Sequence, residues 1–185
     1  MRRIIAITGT PGSGKTTIAR KLHSSLRGSK LVGVNEILLG KGLFTSVAED
    51  GAKVANMKAL EQELSKEAHL WPGDLIFEGH LLSEIRIKGA SAFVIREHLR
   101  TLRSRLEKRG YSMQKISDNL ISEALDYCGA HASTNYSRCF EVMSGRSAHL
   151  KILEIMRGKV QNTTRIELLE ELMPLFGGAP DSVML

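Results

Sequence analysis

Cysteine is scarce in this chain: Cys128 and Cys139 are the only two, and neither sits in a CxxC or a Cys/His spacing. That excludes a disulfide framework and a structural zinc site, and a reducing compartment fits best. Long apolar runs are missing too. The opening MRRIIAITG joins two arginines to about five apolar residues, too few for a signal-peptide core or a membrane span. The chain is expected to be soluble and cytoplasmic, without a membrane partner. No repeat, low-complexity tract or linker-like stretch divides it. Its 185 residues, 42% of them apolar, suit one domain spanning residues 1–185 with one substantial core.

Positive charge is in excess. The 26 Lys and Arg residues face 20 Asp and Glu, a formal +6 that suits phosphate-bearing partners and is equally met by solvated helix faces. Arg96, Arg100, Arg103, Arg105, Lys108 and Arg109 crowd one stretch and call for a specific explanation.

Strand-like and helix-like runs alternate, the pattern of parallel βαβ units with helices on both sheet faces. Strands are expected at 3–8, 30–34, 74–78, 91–96 and 139–143. Helices are expected at 15–27, 56–69, 98–108, 114–134, 147–157 and 164–176. Ile18, Leu22 and Leu26 line one side of the first helix, and Met57, Leu60, Leu64 and Ala68 one side of the second. The turn WPGD breaks that second helix before DLIFE, and the tail GGAPDSVML reads as frayed.

Between the first strand and first helix, GTPGSGKT at 9–16 satisfies GxxxxGK[ST] in the context that motif needs. The expectation is an α/β P-loop NTPase. Gly12, Ser13 and Gly14 would turn backbone amides around phosphate oxygens, and the helix beginning at Lys15, Thr16 and Thr17 adds its positive dipole end. Lys15 would reach the β and γ phosphates of ATP, and the Thr16 hydroxyl would ligate Mg2+. A GxGxxG dinucleotide reading fails because Thr17 stands where its third glycine belongs.

A P-loop does not name the acceptor, so other residues must. Glu78, Gly79 and His80 end the third strand, expected beside the P-loop strand, where ligands sit in parallel sheets. Glu78 would hold Mg2+ directly or through water. Gly79 would leave room for a phosphate or base. His80 would orient water, accept a proton or donate to phosphate. The bland alternatives are a capping acid and a backbone-bonded histidine. In RSRLEKRGYSMQKISDN, Arg105 and Arg109 share a helix face and Gly110 ends the helix, so both can converge on phosphate while the segment after them, with Lys115, closes as a lid. The alternative is a solvated basic helix. Arg96, at a strand end, stays ambiguous.

GTPGSGKTT, EGH, VIR, RLEKRGY and KISDN together resemble the small adenylate-kinase-related ATPases of archaea and the eukaryotic nucleus, which act in small-ribosomal-subunit maturation. The resemblance covers roughly residues 3–157, and RLEKRGY is its most discriminating block. It implies a nucleoside-monophosphate-kinase fold of five parallel strands with a short lid near 108–118 and a monophosphate-binding arm near 34–56. It also implies adenylate kinase activity with ATP hydrolysis, AMP as acceptor, and contacts with a small-subunit ribosomal protein and pre-ribosomal RNA. Gly12, Gly14, Lys15, Thr16 and Thr17 then resemble the ATP-phosphate loop, Arg109 the lid arginine, and Glu78 with His80 the family's acid-x-histidine pair.

There are departures from the family pattern. EHL at 97–99 replaces a short acid or proline turn, and the arm holds only Lys41 and Lys53 as basic residues. Where ordinary adenylate kinases resemble DGFPR, EGH here is followed by LLSEI. An acceptor-phosphate arginine would have to come from elsewhere, Arg86 or Arg96 for instance. Two alternatives follow: an ATP-driven assembly switch with little kinase activity, and a small-metabolite P-loop kinase. A shikimate-type kinase lacks support in its paired acids and diglycine, with only Glu36 and Gly79 nearby. Past residue 157 the resemblance fades, which leaves the last segment as a candidate partner surface.

Overall fold

The computed structural model describes residues 2–47, 53–160, 163 and 165–175. A five-stranded parallel sheet lies at its centre in the order β2-β5-β1-β6-β7. The strands are β1 (Ile4–Thr8), β2 (Lys30–Gly33), β5 (Leu75–Glu78), β6 (Ala90–Arg96) and β7 (Cys139–Met143). All five are nearly continuous apolar runs, as burial on both faces requires. Ile5, Ile7, Ile76, Phe93, Ile95 and Val142 point to one face, where α1 (Lys15–Ser25) and α7 (Ala148–Met156) cover them. Ala6, Val32, Phe77, Ala92 and Val94 point to the other, under α3 (Met57–Leu70) and α6 (Tyr127–Asn135). The expected α/β architecture is present, with each strand within a residue of its expected bounds.

Local chemistry sets the element ends. The Asn56 carboxamide accepts from the Ala59 amide at 3.1 Å and starts α3, whose Leu60 and Leu64 are fully buried. Burying each such leucine stabilises by about 1.5–3 kcal/mol. The WPGD turn is closed by the Trp71 indole donating to Asp74 O at 3.1 Å, and Asp74 pairs with Arg3 at the start of β1.

The expected arm contains α2 (Val34–Gly40) and an antiparallel hairpin of β3 (Phe44–Val47) and β4 (Lys53–Ala55). Residues 48–52 of that arm lie outside the described residues.

Two helix expectations need correction. The helix expected at 114–134 is two, α5 (Met113–Ala124) and α6, broken at Asp126, whose φ is 56°. Ile116, Leu120, Ala124, Cys128 and Ala132 are all buried and keep the four-residue period straight through the break, so periodicity hides it. Asp126 is held in the left-handed region because its carboxylate caps α6 at the Gly129 amide, 3.1 Å away, and accepts from Arg96 at 2.6 Å. The helix expected at 164–176 is instead two short 3-10 turns, Leu169–Glu171 and Met173–Leu175, among its described residues. Pro174 lacks an amide donor and disfavours helical geometry just before it. Residue 164, residue 176 and the tail to 185 lie outside the described residues.

The 3-10 turns pack against a third apolar cluster formed by α4 (Leu99–Lys108) and α5, contributing Leu168, Leu172 and Leu175. Glu171 anchors them by accepting from the Leu99 amide at 2.8 Å and pairing with His98 Nδ1 at 2.6 Å. Arg103 adds a bond to Leu175 O at 3.0 Å. Residues 166–175 are therefore packed on the helical corner that carries Arg105 and Arg109.

Candidate functional site

The loop after β1 is built for an anion. Gly14 has φ 97° and caps α1 without a side chain, and the first turn of α1 has no acidic residue. Helix-start amides left in this way suit phosphate oxygens. A Cβ at Gly14 would also meet Ser144 Oγ at 3.2 Å and Arg105 Nη1 at 3.4 Å. Lys15 is 7% exposed, and its Nζ donates to Thr10 O at 2.9 Å. Burial holds its pKa below the ordinary lysine value, with the carboxylate of Glu78 opposing the shift. The Ser13 hydroxyl is buried without a hydrogen-bond partner. An orphaned hydroxyl beside unspent helix-start donors fits a polyphosphate occupant.

The loop forms one wall of a cavity of about 270 Å³. Pro11, Gly12 and Gly14 to Thr17 make that wall, and Gly33, Asn35 and Glu36 line it from β2 and α2. Glu78, Gly79 and His80 line it from the end of β5, and Arg109 and Tyr111 from the α4–α5 corner. The sheet register explains the meeting, since Glu78 aligns with Ile7 of β1 on one side and with Gly33 of β2 on the other. Thr16 and Glu78 together present a hydroxyl and a carboxylate, hard oxygen donors of the kind magnesium takes. No group of three or more His, Cys, Asp or Glu side chains suited to a metal occurs among the described residues. A metal at Thr16 and Glu78 would thus depend on phosphate and water for its remaining ligands.

His80 shows both halves of its expected behaviour. Its backbone carbonyl accepts from Thr8 Oγ1 at 3.1 Å and Ser83 Oγ at 3.0 Å, while the residue lines the cavity. Burial, helped by the charge of Lys15, lowers the imidazole pKa to about 4, so it is neutral at pH 7. Gly79 lines the cavity, and a Cβ there would lie 2.7 Å from Val34 Cβ, so glycine also makes room for the α2 side chain.

Of the two arginines expected to converge, Arg109 lines the cavity and Arg105 touches the loop itself. Arg109 also caps α4 and lies near enough for its charge to oppose protonation of Lys15. Arg105 Nη1 is shared between Gly12 O at 3.1 Å and Glu97 Oε2 at 2.7 Å, so it braces the loop.

Arg96 cannot be the substitute acceptor-phosphate arginine. It is 1% exposed and bonded to Glu123, Asp126 and Glu141. Arg86 lies outside the cavity lining, and Lys41 is ion-paired with Glu63. Thr10, Asn35, Glu97 and Glu123 are site or support residues that sequence reasoning missed, whereas Tyr111 fell within the expected lid. A P-loop register could have flagged Thr10, and nothing local marks the others.

The fold and cavity belong to a recognisable group. A family profile described as AAA domain matches residues 5–126. The chain belongs to that family. It is 34% identical over 152 residues to a Methanosarcina acetivorans protein named "Putative adenylate kinase", covering 78% of this chain and 80% of that one. Proteins of the same name are 37% identical over 163 residues in Methanothermobacter thermautotrophicus (84% and 90% covered) and 31% over 179 residues in Pyrococcus abyssi (92% and 96%). Among solved structures, the fold is similar to shikimate kinase from Bacteroides thetaiotaomicron, with TM-score 0.58, 18% identity and coverage of 84% and 98%. The Acinetobacter baumannii shikimate kinase aligns with TM-score 0.60, 15% identity and coverage of 87% and 96%. At those identities the likeness is one of fold.

Proposed function

We propose that this chain is a Mg2+-dependent ATP phosphotransferase of the adenylate kinase type, converting ATP and AMP to two ADP and also hydrolysing ATP. The observation that carries the reading is the convergence of Lys15, Glu78, His80 and Arg109 on one cavity at the P-loop. The name shared by the archaeal relatives supports it.

In this reading the ATP phosphates lie along Gly12, Ser13, Gly14, Lys15, Thr16 and Thr17. Lys15 leaves Thr10 O for the β and γ phosphates, and its burial strengthens that attraction. Thr16 and Glu78 would hold Mg2+, which would supply positive charge to offset that of the phosphates. Arg109 stabilises charge developing on the transferred group, and with Tyr111 it belongs to a lid near 108–118 that limits water. Neutral His80 is suited to accept a hydrogen bond from an attacking hydroxyl or water and orient it. The acceptor lies toward Asn35 and Glu36, in the arm near 34–56, and residues 1–185 act as one kinase-like unit.

A second reading, hydrolysis without much transfer, is favoured by the absence, among the described residues, of any arginine from the α2 side of the cavity lining. Acceptor phosphates usually meet a bidentate arginine. We assign such turnover to a switch in small-ribosomal-subunit assembly, with a ribosomal protein and pre-ribosomal RNA as partners. That assignment rests on the EGH and RLEKRGY resemblance and on the basic charge, and a cytoplasmic location on the sparse cysteines and the short apolar start. No helix among the described residues is long and apolar enough to cross a membrane.

Incubating the protein with Mg-ATP, alone and with each nucleoside monophosphate, separates the readings. ADP without phosphate, formed only with AMP, is the expected kinase result. Stoichiometric phosphate without acceptor would replace it with the switch, and no turnover in either arm would reject both.

A further inference from the structure

Glu123, on α5, is 1% exposed, and its two oxygens do different work. Oε1 accepts from the Glu97 amide at 2.9 Å and from Arg96 Nε at 3.1 Å. Oε2 accepts from the hydroxyl of Thr10 in the phosphate loop. Glu97 in turn holds Arg105, and Arg105 donates to Gly12 O. The contacts close a ring from Thr10 through Glu123, Glu97 and Arg105 to Gly12, so the loop is gripped at two places by side chains of α5 and α4, joined through Glu97.

A buried carboxylate is costly unless charge and hydrogen bonds compensate it. Arg96 does not require Glu123 for its own neutralisation. Its Nη1 already reaches Asp126 at 2.6 Å and Glu141 at 3.0 Å. What separates Glu123 from those two acids is its bond to the phosphate loop. Thr10 is also the residue whose carbonyl holds Lys15 at 2.9 Å. When Lys15 turns to phosphate, the loop loses that bond and keeps the one to Glu123.

We propose that Glu123 is a positioning residue for ATP turnover, holding Thr10 directly and Arg105 through Glu97 so that the loop keeps its turn after Lys15 departs. The proposal rests on the ATP reading given above. It assigns Glu123 no contact with substrate.

Thr10→Val removes the hydroxyl while leaving Glu123 with Arg96 and the Glu97 amide, and Thr10→Ser retains it. Asp126→Asn perturbs the Arg96 cluster without touching the loop. The full chain is assayed with Mg-ATP for kcat and KM, for affinity by calorimetry, and for amide hydrogen exchange at residues 12–15 with Mg-ADP bound. Thr10→Val is expected to lower kcat about tenfold or more with ATP affinity within about threefold, and to speed loop exchange about tenfold. Thr10→Ser should return both to within about twofold of wild type. Asp126→Asn should lower the melting temperature without the kcat loss, and Glu123→Gln should share that loss.

Thr10→Val turnover within about twofold of wild type overturns the proposal, as does a loss that Thr10→Ser fails to recover or that Asp126→Asn matches. Should wild type not turn over ATP, the phosphotransfer reading fails by itself. Loop exchange then decides the strut separately, since an unchanged rate in Thr10→Val removes it.

Discussion

The ammonium of Lys15 is bonded to the carbonyl of Thr10 in its own loop, at 2.9 Å, and little of it meets solvent. The lysine on which phosphate binding should depend is therefore held at a cost to folding. Burial lowers its pKa from the ordinary value, so folding disfavours the charged form of this side chain relative to water. Lys15→Met should abolish ATP turnover, by about 100-fold or more, while leaving the melting temperature equal to or above wild type. A turnover assay beside a thermal melt decides it, and a large fall in melting temperature would make the lysine structural.

His80 gives stability a pH dependence of known sign. Its folded pKa of about 4 lies below the unfolded 6.5, so above pH 6.5 both states are neutral and the group contributes nothing. As pH falls from 6.5 toward 4 the unfolded state takes up the proton first, and stability is lost across that window. His80→Gln should shrink the drop in melting temperature between pH 7.5 and pH 5. Equal drops in both proteins would rule out a neutral, buried imidazole.

At neutral pH, His80→Ala should impair hydrolysis more than ATP binding. Parallel losses of affinity and turnover would argue that the ring positions nucleotide rather than the attacking group.

Arg109 is exposed, so its replacement isolates chemistry from folding. Arg109→Ala should leave the melting temperature within about 2 °C and slow single-turnover phosphoryl transfer about tenfold to 1000-fold. An unchanged single-turnover rate would remove it from the transfer step.

Arg96→Met should do the opposite. It leaves Glu123, Asp126 and Glu141 facing one another without their shared cation, at a cost of about 3–5 kcal/mol and about 10 °C of melting temperature. Arg86→Ala, on an exposed residue, should change stability by about 0.5 kcal/mol or less. A stable Arg96→Met protein with a selective loss of AMP-dependent turnover would reinstate Arg96 as an acceptor residue.

What was legible in the sequence was local. GTPGSGKT declares its loop because each glycine and the Lys15-Thr16 pair act within eight residues, and Glu78 could be placed because a strand end in a parallel sheet faces the crevice. The roles of Arg96 and Arg105 were not legible. Their partners lie on other elements, and a charged residue at a strand end or on a helix reads as solvated unless the fold brings an acid to it. Glu123 occupies a polar-looking helix position, and its burial follows from the packing of α5 over β6 and the loop. Asp126 was hidden for a different reason: the apolar period that normally reports a helix runs unbroken across the turn that Asp126 makes.

The clamp on the phosphate loop also has a direction in time. Chains emerge amino terminus first, at about 5–20 residues per second. The loop at 9–16 leaves the ribosome early, whereas Glu123, which grips Thr10, is 113 positions further on, and Glu171, which caps α4, later still. Until Glu123 has been made, the nascent chain carries a phosphate loop without its brace. Capture of nucleotide in the braced form must therefore come late, once α5 has been made and has docked.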